Sequence, residues 1–323
     1  MKKILTFILI ISITLFLFFA FLSLKQEQKL SIQSHLNYMV YFKHVKNLII
    51  ATQKTRGLTN YYLNGDVGAK MLIFDEQRDM KDSMEAIEAL KLHESIKIDH
   101  LYRDIKRELI HLNKVAFSQN SSQLFHLYSL QVENLLALAD KIITLFFSKN
   151  RDLNFSIETL LPLTENIGKL RGLGSGLLAR GSITQAERQQ MQGFMTQINI
   201  LFQQERRYLA SASHLDATMK SLEEKSLQMI QSYLEKTTLY VLHPKKKVLT
   251  ADSYFREGTK NISEVMIIFD KIYEQSKTNL ENDYQNLSLY IMLIWLGVVL
   301  VILLLWYLYI PIINVNKVSS IKL

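Results

Sequence analysis

The five residues Lys54-Thr55-Arg56-Gly57-Leu58 recur as Lys169-Leu170-Arg171-Gly172-Leu173, and both copies lie in long stretches of helix-favouring residues. Residues four and seven apart share one face of a helix. Each arginine therefore belongs to an apolar stripe, which comprises Leu48, Thr52, Arg56 and Leu63 in the first copy and Leu163, Ile167, Arg171 and Leu178 in the second. The repeat predicts two related helices, each with a guanidinium where a leucine is expected.

The rest of the chain also favours helix, with 11 glycines and 3 prolines in 323 residues and no alternating strand pattern. We therefore predict an all-α fold. Breaks are expected at 64–66, 150–154, 180–182 and 243–245, and helices at about 24–63, 69–92, 96–117, 122–149, 156–179, 184–209, 215–242 and from 252 onward. Four helices followed by four with matching first members predict two antiparallel four-helix bundles, formed by residues 25–149 and 155–286.

Both ends of the chain resemble membrane spans. Residues 4–24 carry no charge and approach the roughly 20 residues that cross a bilayer as a helix. A cleaved signal peptide is the alternative, but Ala20-Phe21-Leu22 offers no small-x-small cleavage site. We predict transmembrane helices within residues 1–24 and at 287–313, with a short cytoplasmic tail at 314–323.

Lysines flank the two predicted spans on their outer ends, at positions 2, 3, 317 and 322. The positive-inside tendency then places both termini in the cytoplasm and residues 25–286 outside the inner membrane. Because the first and last helices would run straight into the membrane, a piston or rotation of either is a route for a signal.

The net charge of +8 includes the four terminal lysines, so the outer region has a mild positive excess. That excess favours a small anion over nucleic acid. The basic run Lys245-Lys246-Lys247 lacks interleaved aromatic residues and is predicted to be a solvated loop, so we expect no nucleic-acid partner. The absence of cysteine excludes disulfides and thiolate metal sites.

No enzyme motif is present: the chain has no nucleophile elbow, phosphate-binding loop or His-Glu-x-x-His pair. The eight histidines show no spacing of three or four residues that would place two on one helix face. We predict no catalytic residue, cofactor or metal, while haem or metal binding by histidines of different helices stays open.

A buried arginine keeps its charge, and leaving it without a partner costs several kcal/mol. Either each arginine pairs with a carboxylate such as Glu165 or reaches water, or Arg56 and Arg171 converge on one ligand. The planar fork of a guanidinium suits a small planar oxyanion. Gly57 and Gly172 indicate the close approach of a helix or a ligand. Residues one turn away are candidate supporting donors, namely Thr52, Thr59, Asn60, Thr164 and Ser175.

Three segments resemble motifs of the nitrate- and nitrite-sensing (NIT) domain, in family order. Residues 53–59 are similar to its opening Leu-Gln-Lys-Glu-Arg-Gly-Leu-Ser motif, and residues 165–184 to its second arginine helix with a Glu-x-x-Gly-x-x-Arg core. Residues 254–262 resemble its Trp-Phe-x-x-x-Thr-x-x-Ile segment. The chain departs from these motifs at Thr55, at Tyr254 and at Asn261, where a basic residue is frequent; Arg256 and Lys260 are the nearby basic candidates.

The resemblance implies paired four-helix bundles that bind nitrate or nitrite through Arg56 and Arg171, in a receptor that works as a homodimer. We therefore expect a membrane-bound sensor. The alternatives are a helical-bundle membrane scaffold and a receptor for another small ligand such as an organic acid. About ten residues follow the second predicted span, so either a separate cytoplasmic signalling protein carries the output or the chain is the input half of a truncated receptor.

Overall fold

The computed structural model describes the backbone of residues 2–90, 92, 96–212, 217–243 and 249–319, and within these ranges every regular element is a helix. The all-α prediction is therefore confirmed. The helices are α1 (Lys2–Leu63), α2 (Ala69–Ala89), α3 (Ile96–Val115), α4 (Ser121–Phe146), α5 (Arg151–Phe155), α6 (Leu161–Arg180), α7 (Gln185–Ser211), α8 (Ala217–Lys236) and α9 (Ala251–Ser319), with π-helical turns at Ser156–Leu160 and Thr237–Leu242.

Local sequence explains several helix ends. Gly65 (φ 117°) and Gly181 (φ 74°) adopt the left-handed conformation that ends α1 and α6, as their positions predict. Thr184 and Glu187 form a capping box at the start of α7. The break predicted at 150–154 lies a few residues earlier, at 147–150, because the Asn150 side chain accepts from the N–H groups of residues 152 and 153 and so starts α5 directly after it.

The chain divides into two compact units, one of residues 37–276 and one of residues 1–36 with 277–323. We call the first the helical unit. In it α1 is bonded to α9, since the Tyr273 hydroxyl donates to the Met39 carbonyl (3.1 Å) and Lys46 pairs with Asp270 (3.0 Å). α1 also meets α2, where Lys54 pairs with Glu76 (3.0 Å).

α1 and α6 cross at the two repeated glycines. A Cβ built on Gly172 would lie 3.1 Å from the Cα of Gly57 and 2.9 Å from the Phe125 ring. The predicted close approach at these glycines is therefore confirmed, and the neighbour is the other repeat helix. This contact brings the residue before each glycine, Arg56 or Arg171, to the same interface.

We expect Gly172→Ala to lower the free energy of unfolding by about 1–3 kcal/mol, because the added methyl forces the helices apart. Gly193→Ala on α7 is the matched control, since a Cβ there meets no atom within 4 Å. That control should be neutral or stabilising by up to about 1 kcal/mol, the helix propensity difference. Thermal unfolding of the full chain in lipid nanodiscs measures both. A Gly172→Ala protein as stable as the control would contradict the crossing.

Glu205 on α7 is a fully buried carboxyl, and within the described residues neither of its oxygens has a hydrogen-bond partner. Burial, with the nearby Glu223 charge, raises its pKa to about 8. The folded state therefore binds more protons than the unfolded one, and stability falls as the pH rises from about 4.5 to about 8.

We expect Glu205→Gln to raise the melting temperature at pH 8 and to change it little at pH 5. The gain should amount to several kcal/mol, at about 1.4 kcal/mol per unit of pKa. Thermal scans across this pH range measure it, with the exposed Glu158→Gln as control. An equal effect at both pH values would contradict the buried, protonated carboxyl.

The second unit is rich in exposed apolar side chains. Among the described residues one helix, α9, is long and apolar enough to cross a membrane, and its most apolar stretch is unburied. The first predicted span begins at residues 4–11, whose side chains lie outside the described part. The described remainder of that span exposes Ile13, Leu15, Phe16, Leu17 and Phe19. The predicted basic loop at 245–247 also lies outside the described residues.

Candidate functional site

Arg56 is fully buried and neutralised. Its Nη1 donates to Glu165 Oε1 (2.5 Å) and its Nη2 to Glu165 Oε2 (3.1 Å), a bidentate pair across the α1–α6 interface. Nη1 also donates to the Ser129 hydroxyl (2.9 Å), and the Phe125 ring centre lies 5.1 Å from the guanidinium carbon. Of the two arrangements open for the arginines, Arg56 adopts the one paired with a carboxylate.

A second cation flanks this pair. The Lys169 ammonium lies 3.5 Å from Glu165 Oε1 and 2.9 Å from Glu133 Oε1. The Glu165 side chain is 3% exposed. Two positive groups, Arg56 and Lys169, therefore share this one buried carboxylate as direct partners.

Arg171 is equally buried but has a different environment. Its Nη1 donates to the Thr259 hydroxyl (2.8 Å) and its Nη2 to the backbone carbonyl of Gln53 (3.2 Å). Its guanidinium carbon lies 4.4 Å from the centre of the Phe255 ring. Among the ion pairs of the described residues, none joins Arg171 to a carboxylate. This buried cation is solvated by neutral groups and an aromatic face.

The pKa of Arg171 is lowered, as expected for a buried guanidinium without a carboxylate partner among the described residues. Burial lowers its pKa to about 10, and the nearby charge of Arg56 acts in the same direction. Partial compensation comes from Tyr233, Glu76 and Glu165, which act to raise it. The group stays protonated at neutral pH. The lowered pKa therefore measures how unfavourable the buried charge is, and an anion beside Arg171 would relieve that cost.

Several polar atoms in the same region lack hydrogen-bond partners among the described residues. They are the Nε of both arginines, both amide atoms of Gln53, and the hydroxyls of Thr55 and Thr59. Unpartnered buried polar atoms are uncommon in folded proteins. All six of these atoms belong to α1 or α6, the two helices that carry the arginines.

A cavity of about 540 Å³ adjoins Arg171. Its walls come from α1, α2, α6 and α9, and include Lys54, Ile50, Glu76, Arg171 and Thr259. Arg171 and its partner Thr259 therefore both belong to the cavity wall, where the Arg171 side chain is 0% exposed and Thr259 is half-buried. Lys54 lies in the same wall as Glu76, the carboxylate with which it pairs.

The predicted supporting residues fall into three groups. Four of them bond to backbone carbonyls: Thr52 to Leu48 (2.7 Å), Thr164 to Leu161 (2.8 Å), and both Asn60 (2.8 Å) and Ser175 (3.1 Å) to Gly172. Thr59 is buried with its hydroxyl unpartnered. Arg256 and Lys260 are exposed on α9, and Arg256 pairs with Asp252 (2.6 Å).

Two residues that accept hydrogen bonds from the Arg171 guanidinium were not predicted as site residues. Thr259 and Gln53 both bond to Arg171, one from α9 and one from α1. The position of Gln53, one helical turn before Arg56, was a signal that could have pointed to it. The hydrogen bond between Arg171 and Thr259 joins residues 88 positions apart in the sequence, and helical periodicity does not predict contacts at such a separation.

Comparisons with known proteins agree with the motif order. A sequence model of the family described as nitrate and nitrite sensing, NIT, matches residues 47–275. A solved structure, that of the NasR transcription antiterminator, has a similar fold, with a TM-score of 0.66 and 14% identity over 83% of this chain and 74% of that one. No curated protein sequence matches. With most of its length matched by the family model, the chain belongs to the NIT family of nitrate- and nitrite-sensing domains.

Proposed function

We propose that the helical unit binds nitrate or nitrite at Arg171. The observation that carries this proposal is a fully buried guanidinium that has no carboxylate partner among the described residues and borders a cavity. An oxyanion there would accept from the unpartnered Nε–H of Arg171. Charge-assisted hydrogen bonds of this kind are roughly twice as strong as neutral ones. Membership of the NIT family supports the choice of anion.

Arg56 was predicted to be an equal ligand, and we propose an unequal role for it. Its charge is held by Glu165, yet it lies near enough to lower the pKa of Arg171. An anion at Arg171 would also be attracted by Arg56, and Glu165 would offset part of that attraction. Arg56 would then contribute long-range attraction while Arg171 contributes the direct contacts.

The receptor arrangement is also a proposal. The helical unit would form two antiparallel four-helix bundles outside the inner membrane, between spans at 4–24 and 287–313, with both termini in the cytoplasm. The exposed apolar side chains of α1 and α9 support two spans. Both helices contribute residues to each of the two units, so a bound anion has a covalent path to the membrane. A homodimer and a separate cytoplasmic partner would complete the signalling complex.

A small organic carboxylate is the second candidate ligand. The cavity beside Arg171, at about 540 Å³, is larger than nitrate needs, and Lys46 and Lys54 add positive charge to its wall. A carboxylate on a longer carbon chain would satisfy both features. Four carboxylates lie in the same wall, Glu76, Asp79, Asp82 and Asp270, and two of them pair with Lys54 and Lys46, so a ligand with a second negative group is disfavoured. We therefore favour the smaller anion.

Thermal shift of the full chain in lipid nanodiscs tests the proposal, with titrations of nitrate, nitrite, chloride, formate and acetate. At a ligand concentration about 100 times Kd, binding stabilises the folded state by about 2.7 kcal/mol. For a unit of this size we expect a rise of about 5–10 °C with nitrate or nitrite. Stabilisation by acetate and formate alone would favour the organic acid. No response to any of these anions would contradict anion sensing.

A further inference from the structure

The side-chain amide of Gln53 is buried without hydrogen bonds. Gln53 is 0% exposed, and within the described part of the chain neither its Nε2 nor its Oε1 has a partner. The backbone carbonyl of Gln53, by contrast, accepts from Arg171 Nη2 at 3.2 Å. Leaving a buried polar group without a hydrogen bond costs about 1–3 kcal/mol. An amide that carries this cost beside a buried cation is suited to a partner that arrives with the ligand.

The amide lies between the two repeat helices. A Cβ built on Gly168 of α6 would lie 3.8 Å from the Gln53 Cδ and 3.2 Å from the Arg56 Nη2. Gly168 precedes Arg171 by three positions, so the two share a face of α6. The amide of Gln53 and the guanidinium of Arg171 therefore belong to the same α1–α6 interface, and Gly168 places no side chain against Gln53 and Arg56 there.

The hydrogen-bonding inventory of Arg171 leaves donors for an anion. A guanidinium has five N–H groups. Among the described residues, the Thr259 hydroxyl and the backbone carbonyl of Gln53 each accept from one of these groups, and Nε–H has no acceptor. Nε–H and one N–H on each Nη therefore remain, and a planar oxyanion beside one edge of the guanidinium can accept from two of them. Any third oxygen of that anion needs a donor from elsewhere.

We propose that Gln53 Nε2 donates to that third oxygen and makes the site prefer nitrate to nitrite. This inference rests on the proposed function. Nitrate offers an oxygen in each of three in-plane directions and nitrite offers oxygens in two. A site that hydrogen-bonds an extra atom discriminates strongly against the ligand lacking it, because its polar group then stays unpaired. The Gln53 Oε1 would accept from the Arg56 Nε–H, which also lacks a partner.

Isothermal titration of nitrate and nitrite into the full chain in nanodiscs, wild type and Gln53→Met, tests this role. Met keeps the length of the side chain and removes the donor. We expect nitrate binding to weaken by about 10- to 100-fold, the effect of losing a hydrogen bond to a charged group, and nitrite binding to change less than about threefold. Ser226→Ala removes another buried hydroxyl without a partner, on α8, and should leave both affinities unchanged.

Gln53→Glu provides a second variant. Its carboxylate would lie beside the two arginines and take the place of the anion, so we expect loss of nitrate binding with no fall in melting temperature. Nitrate and nitrite affinities in Gln53→Met that fall by the same factor, or do not fall, would overturn the selectivity role while anion sensing stands. Retained nitrate binding by Gln53→Glu would overturn it also. Absence of anion binding by the wild type would overturn both proposals.

Discussion

Glu165→Gln is expected to destabilise the protein by about 3–5 kcal/mol, because it leaves the fully buried Arg56 without its counter-charge. The substitution keeps the size and the hydrogen-bonding shape of the side chain, so lost charge is its main effect. Chemical denaturation or thermal unfolding in nanodiscs measures the change. A fall in melting temperature of about 6–20 °C is expected, at roughly 2–4 °C per kcal/mol.

Two variants separate charge from packing at this position. Glu133→Gln removes the other carboxylate that Lys169 contacts, and its side chain is 57% exposed. This control should change stability by less than about 0.5 kcal/mol. Adding Arg56→Met to Glu165→Gln removes both buried charges and should recover most of the lost stability. A Glu165→Gln protein as stable as the wild type would contradict the neutralised state of Arg56.

Arg171→Met is expected to act in the opposite direction. Removing a buried charge that lacks a carboxylate should raise the free energy of unfolding by about 1–4 kcal/mol. The two acceptors it leaves have other bonds: Gln53 O belongs to the backbone ladder of α1, and the Thr259 hydroxyl donates to Phe255 O (2.9 Å). The melting temperature should rise while anion-dependent stabilisation disappears. Sites selected for binding commonly show this exchange of stability for function.

Ile50→Glu is the complementary substitution. Ile50 lines the cavity beside Arg171 and precedes Arg56 by six positions, as Glu165 precedes Arg171. A carboxylate there would supply Arg171 with an internal partner, so the variant should resist nitrate without losing stability. If Arg171→Met destabilised the protein by several kcal/mol, Arg171 would be a structural residue and the scaffold interpretation would be favoured.

The all-helical fold was readable from composition and periodicity, and helix stops at Gly65 and Gly181 from the left-handed conformation that glycine adopts there. The repeat also predicted that Gly57 and Gly172 would meet a close neighbour. The start of α5 at Arg151 was harder to predict, because an asparagine that caps a helix and an asparagine in a loop look alike in sequence. Such local signals act over a few residues and are visible without a structure.

The difference between the two arginines was not readable from the repeat, which presents them as equivalents. It follows from the partner position six residues before each arginine, occupied by Glu165 in one copy and by Ile50 in the other. The crossing of α1 and α6 turns that single difference into a neutralised Arg56 and a buried Arg171 that has no carboxylate partner among the described residues. Which residue faces which guanidinium depends on contacts over 109 positions, such as Arg56 with Glu165. Helix periodicity does not determine such contacts.

Calorimetric titration of nitrate into the full chain in nanodiscs, compared with the same titration into Arg171→Met, tests most directly whether Arg171 is the anion ligand. We expect saturable binding by the wild type at about one nitrate per chain and no detectable binding by the stable variant. Nitrate binding of equal affinity in both proteins would contradict a site at Arg171.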